Sequence, residues 1–197
     1  MLNAALALLR EGEAVLSMRN LAARLGTAPT SIYNYFASKE DLLNQLAEVA
    51  LDDLWLDCRD KGPWQQQLSQ WMHHFHKALL QSPELMTLIS LACVSQSFLS
   101  NVKQLFDLLS RAGFTDAQCA RQAQSLVWEV MGFTSFQITS AQPQLQKRFK
   151  QNAKQSSYPE MTRYLAMTSA NYDELWEATV ARTMAGLEAM AQQENAR

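Results

Sequence analysis

Turn-forming residues are scarce in this chain, with 6 glycines and 5 prolines among 197 residues. That is too few for an all-β protein built from many short strands joined by turns. Cysteine is scarcer still. Cys58, Cys93 and Cys119 lie far apart and form no CxxC pair, which excludes a disulfide framework and fits a reducing cytosol. No apolar run approaches the roughly 18 residues that a membrane span requires. No N-terminal stretch combines a basic start, an apolar centre and a small-residue cleavage site. Charge of one sign is also lacking, because 17 basic and 19 acidic residues leave a net −2. These absences point to a cytoplasmic protein with no membrane partner. What is abundant is Ala, Leu, Gln, Glu and Met, all good helix formers, within a hydrophobic content of 48%. The expected fold class is all-α.

The periodicity divides the chain into helices. Leu2, Leu6 and Leu9 follow an i, i+4, i+7 pattern that ends at Arg10 and Gly12. Ser17 caps a second helix whose Leu21 and Leu25 share a face and which stops at Gly26. After a tight turn, Pro29 suits the first turn of a short helix that points Ile32 and Phe36 inward. Ser38 and Asp41 have capping-box spacing and open a long amphipathic helix through Leu54. A helix end, a tight turn, a short helix and a new helix start make a helix-turn-helix. Further helices are expected from Trp64 to about Leu80, then in one or two pieces to Gly113, from Thr115 to about Ser140, and from Tyr172 to about Gln192. The stretch 141–159, with four basic residues and few apolar ones, reads as a mobile connection.

The segment "SMRNLAARLGTAPTSIYNYFASKEDLL" resembles the tetracycline-repressor (TetR) family of transcriptional regulators. Gly26, Tyr33, Tyr35, Phe36, Lys39, Leu42 and Leu43 fit the family pattern across about 45 residues. The resemblance implies an N-terminal three-helix helix-turn-helix DNA-binding domain, residues 1–48, and a larger helical ligand-binding and dimerisation domain, residues 49–197. It further implies a homodimer on a palindromic double-stranded DNA operator, and a small-molecule effector. The dimer interface would use roughly Asp116–Ser140 and Tyr172–Gln192 from each subunit.

Thr30, Ser31 and Asn34 share the face opposite Ile32 and Phe36, as a helix entering a major groove requires. Asn34 can pair with adenine, and the hydroxyls of Tyr33 and Tyr35 suit phosphate oxygens. Lys39 sits at the start of the next helix, where its charge adds to that helix's free N–H groups. By resemblance, Thr30, Ser31, Tyr33, Asn34, Tyr35 and Lys39 match DNA-contacting positions. Two features depart from the pattern. Residues 1–50 hold four basic against five acidic side chains, a weak balance for neutralising phosphates. Met1 already lies within the first helix, so the basic arm of many relatives has no counterpart; either the native start lies further upstream, the favoured expectation, or the protein binds DNA with a shallow salt dependence.

Trp55, Trp71, Phe75, Phe98, Leu105, Trp128, Met131 and Phe136 supply large apolar surface to the second domain. By faint resemblance to tetracycline repressors, Trp71, Phe75 and Trp128 fall at ligand-contacting positions; Leu105 and Met131 are further ligand candidates taken from the apolar set alone. Asn101, Glu129 and Gln137 can supply the few polar groups that orient a ligand. No histidine stands near residue 89, which argues against a magnesium–tetracycline ligand. His73, His74 and His76 form the run "HHFH", yet no cysteine or carboxylate nearby completes a metal site, so no metal or other cofactor is expected. No Ser/His/Asp order or Gly-rich phosphate loop appears, so the reading is a regulator and not an enzyme. The acidic balance of residues 1–50 keeps one alternative open: a helical interaction module that has lost sequence-specific DNA binding.

Overall fold

The computed structural model describes residues 1–12, 14–51, 62–91, 96–155, 160 and 171–195. Cys58, Cys93, Trp55 and the expected extension of the fourth helix beyond Leu51 lie outside them. Ten helices stand among the described residues, with no strand. They are α1 (Leu2–Glu11), α2 (Met18–Arg24), α3 (Pro29–Tyr33), α4 (Lys39–Ala50) and α5 (Trp64–Gln81). Then come α6 (Glu84–Leu91), α7 (Gln96–Arg111), α8 (Asp116–Ser140), α9 (Pro143–Gln155) and α10 (Tyr172–Asn195).

Local chemistry sets the ends of the first four helices. The Ser17 and Ser38 hydroxyls accept from the backbone N–H of Asn20 and Asp41, each at 3.1 Å. Asp41 completes its half of the cap by accepting from Ala37 N at 2.8 Å, one residue before the position an ideal capping box uses. At the end of α2 the N–H of Thr27 reaches Ala22 O and that of Gly26 reaches Ala23 O, the paired bonds of a Schellman motif. Gly26 takes φ +65°, a left-handed conformation that costs other residues about 1–2 kcal/mol. This turn swings the chain directly into α3, so the glycine is what sets α2 and α3 at an angle. Ile32 and Phe36 anchor α3 in a core with Leu21, Ala22, Leu42 and Leu46.

Helix α4 packs on α1, α6 and α7 and joins the two halves of the molecule. In the second half, α5 sits among α7, α8 and α10. The run before Gly113 forms two helices, and α7 ends in a second Schellman pair, Phe114 N to Leu109 O and Gly113 N to Ser110 O. Gln118 Oε1 accepts from Thr115 N at 2.8 Å, as the capping-box spacing there predicts.

The described part of the stretch 141–159, up to Gln155, departs from expectation, and residues 156–159 lie outside the described residues. Residues Pro143–Gln155 form α9, which packs against α8 and is largely exposed. Its Gln, Lys, Arg and Ala are strong helix formers, and Pro143 occupies the first helical position. Few apolar residues here meant little burial, not an absence of helix.

Candidate nucleic-acid interface and effector domain

Helix α3 is short, and only two of its neighbouring side chains face inward. Ile32 and Phe36 are buried, which turns the intervening residues outward. Thr30, Asn34 and Lys39 are exposed and Ser31 is half-buried. Tyr33 and Tyr35 are 54% and 63% exposed, an unusual amount of aromatic surface for one short segment. The structure thus brings all six sequence-derived residues to one end of the domain, along α3 and the start of α4. Arg24 pairs with Glu11 at 2.6 Å, and Arg10 faces away toward α6, where its Nε meets Glu84 at 2.5 Å. Arg19 and Lys39 are exposed and form no ion pair among the described residues.

The residues expected around a ligand separate into two groups. Trp71 and Phe75 on α5 lie in the core with ring centroids 5.2 Å apart. Leu105 on α7 is fully buried, and Met131 on α8 is half-buried against the same core. The side chain of Asn101 lies outside the described residues. Trp128 does not join them, being 66% exposed on the outer face of α8. The inward face of α8 is defined by Cys119, Ala123, Leu126, Val127, Val130 and Thr134, and Trp128 projects roughly opposite their centre. Phe136, two turns on, is 57% exposed on the same side.

The polar candidates bond within the protein. Glu129 accepts from Arg182 and, at 2.8 Å, from the Thr183 hydroxyl. Gln137 meets His76 Nε2 at 2.8 Å. With Gln122–Met190, Phe133–Trp176 and Ser140–Tyr172, the Glu129 contacts run antiparallel along α8 and α10, while Gln137–His76 joins α8 to α5. Helix α10 turns Trp176, Val180, Leu187 and Ala191 inward, with Met184 partly buried beside them. Its opposite face exposes small residues: Ala178, Ala181, Ala185, Gly186 and Ala189.

Sequence reasoning left the histidine run without a role. His76 stacks on Trp176 at 4.1 Å between ring centroids, and the Trp176 indole N–H donates to His73 Nδ1 at 2.9 Å. The i, i+3 spacing of His73 and His76 suggests only a shared metal, whereas both rings meet Trp176, 103 residues away from His73. No group of three or more metal-ligating side chains occurs among the described residues. Burial pushes the His76 pKa below its ordinary 6.5; the Gln137 bond, Asp173 and Glu177 oppose this, while His73 reinforces it. A histidine whose folded pKa is depressed binds fewer protons folded than unfolded. Its contribution is therefore complete above the unfolded value of 6.5 and is lost as pH falls from there through the lower folded pKa. The melting temperature should drop between neutral and mildly acidic pH, and less so in His76→Gln. Parallel pH profiles for the two proteins would remove His76 as a cause.

Fold and site together define a helix-turn-helix protein with a helical C-terminal domain. Residues 1–46 match the family described as bacterial regulatory proteins, tetR family, and residues 58–191 match the tetracyclin repressor-like C-terminal domain. The chain belongs to the tetR family of bacterial regulatory proteins. A curated relative, an HTH-type transcriptional regulator of Saccharopolyspora erythraea, is 26% identical over 127 residues, 64% of this chain. The match spans about half, 54%, of that relative's length. ActR of Streptomyces coelicolor, solved with actinorhodin, aligns over 96% of this chain and 95% of its own at 23% identity, with a TM-score of 0.79. BioQ of Mycobacterium smegmatis aligns over 95% of each chain at 24% identity and a TM-score of 0.67. BioQ bound to its double-stranded DNA operator aligns over 95% of each chain at 24% identity, with a TM-score of 0.65. At these identities the structural likeness concerns the fold.

Proposed function

We propose that the chain is a ligand-responsive DNA-binding transcriptional regulator, acting as a repressor and not as an enzyme. It binds a palindromic operator in the cytoplasm as a homodimer and is released by a small, largely apolar molecule. The observation that carries this reading is the outward set of Thr30, Tyr33, Asn34 and Tyr35, held by buried Ile32 and Phe36. Residues 1–48 serve as the DNA-binding domain and 49–197 as the ligand-binding and dimerisation domain. Among the described residues no helix is long and apolar enough to cross a membrane.

In this reading Asn34 and Thr30 touch base edges, while Ser31, Tyr33, Tyr35 and Lys39 hold phosphates. The dimer forms through α8 and α10. Trp128 and Phe136 flank Gly132 on α8 and meet the small-residue face of the partner's α10, large side chains into shallow ones. The dimer then sets the two α3 helices roughly 34–36 Å apart, one turn of DNA. The effector enters among Trp71, Phe75, Leu105 and Met131, with Asn101 at its edge. Those side chains are packed together, so a ligand there must favour a rearranged α5–α7–α8 interior. It can shift the equilibrium only by its differential affinity for the two arrangements. Helix α4, in contact with α1, α6 and α7, passes the change to the DNA-binding domain.

Selection of bound duplexes from a random library tests the proposal. The wild type should enrich a palindrome, and the Tyr33→Ala/Asn34→Ala variant should bind it at least about tenfold more weakly, since one paired base contact contributes roughly 1–3 kcal/mol. With four basic against five acidic side chains in residues 1–50, and Arg24 paired with Glu11, the salt dependence should be shallow. No enrichment at low salt would sink the proposal and favour an interaction module.

A further inference from the structure

The two domains meet along a groove of about 300 Å³ walled by α1 and α4 on one side and by the end of α5 with α6 on the other. Leu6, Leu46 and Leu85 form its apolar sides. Val49 stands at its rim with 60% of its surface exposed, apolar area that α4 leaves uncovered. One ion pair crosses the groove: Arg10 Nε donates to Glu84 Oε1 at 2.5 Å. Its two members differ sharply in exposure, the Glu84 side chain being 6% exposed and that of Arg10 57%.

We propose that this groove is a second small-molecule site, taking a medium-chain aliphatic monocarboxylate. The asymmetry of the ion pair decides the head group. The Glu84 charge is answered inside the protein by Arg10, so it has little left to offer a cation. Arg10 uses Nε on Glu84 and makes no other side-chain hydrogen bond among the described residues. Its two terminal nitrogens make no hydrogen bond among the described residues and present the planar fork that matches a carboxylate. The aliphatic tail lies along Leu6, Leu46 and Val49, and the volume is at the small end of ligand pockets. The site is separate from the interior around Trp71 and Phe75 and does not depend on DNA binding. A molecule wedged there binds the domain arrangement described here. It therefore biases the position of the helix-turn-helix, and any DNA affected would change its affinity by the same factor.

The test is calorimetric titration of the full chain with octanoate and, separately, octylamine. Octanoate should bind saturably, one per chain, and octylamine should not. Val49→Trp fills the groove from an exposed position, so it should weaken octanoate about tenfold or more without lowering the melting temperature. Arg10→Lys keeps the charge facing Glu84 but removes the fork, and should weaken octanoate several-fold. The proposal is overturned by absence of octanoate binding at millimolar concentration. Equal affinity in Val49→Trp would also overturn it, by placing the ligand elsewhere, and octylamine binding as tightly as octanoate would refute the head-group assignment.

Discussion

Trp128→Asp combined with Phe136→Asp should yield a folded monomer that no longer holds the operator selected by the wild type. Both aromatics are more than half exposed in the isolated chain, so aspartate there meets water and the fold is little disturbed. In the proposed dimer the same positions lie at the centre of the α8–α10 face. Truncating a central interface aromatic costs about 2 kcal/mol or more. A two-fold axis counts each substitution twice. The dissociation constant of the dimer should therefore rise at least about a thousandfold. Analytical ultracentrifugation reads the mass, and circular dichroism checks that helicity and melting temperature are kept. A variant that stays dimeric would place the subunit interface elsewhere and return Trp128 to open surface.

Phe75→Ala should destabilise the second domain by about 3–5 kcal/mol, a large share of the roughly 5–15 kcal/mol that holds a protein folded. Phe75 is fully buried, rests against Trp71 and belongs to the helix that touches α7, α8 and α10. Removing the ring leaves a cavity that these helices can close only in part. Urea denaturation measures the loss. A cost below about 1 kcal/mol would mean that the α5 interior collapses easily, as a region built to rearrange around a ligand would. A moderate cost accompanied by tighter binding of an apolar effector would locate that effector at the vacated ring.

The helix-turn-helix was legible because its signals are local. Ser17, Ser38, Gly26 and Pro29 act on backbone groups within a few residues of themselves, and Ile32 and Phe36 follow from a four-residue spacing. The second domain was legible in its helices but less so in its faces. Trp128 was expected at a ligand because its position resembles a ligand-contacting one in tetracycline repressors. Its outward position depends on which face of α8 meets α5 and α7, and no local rule chooses that. The misreading of Pro143–Gln155 has a different origin: low apolar content was taken for irregular structure, although the same residues favour helix whenever water covers most of their surface.

By itself the sequence determined an all-α chain, the positions of its main helix starts and stops, and the group of polar and aromatic residues presented around α3. Only the tertiary structure decided that Arg10 crosses 74 residues of chain to meet Glu84, and that His73 and His76 bracket Trp176. It also decided that Trp128 and Phe136 face outward. Caps, turns and periodicity act over one or two helical turns, so they can be read along the chain. Which faces meet is settled by the joint packing of distant helices, and that exists only once the chain has folded.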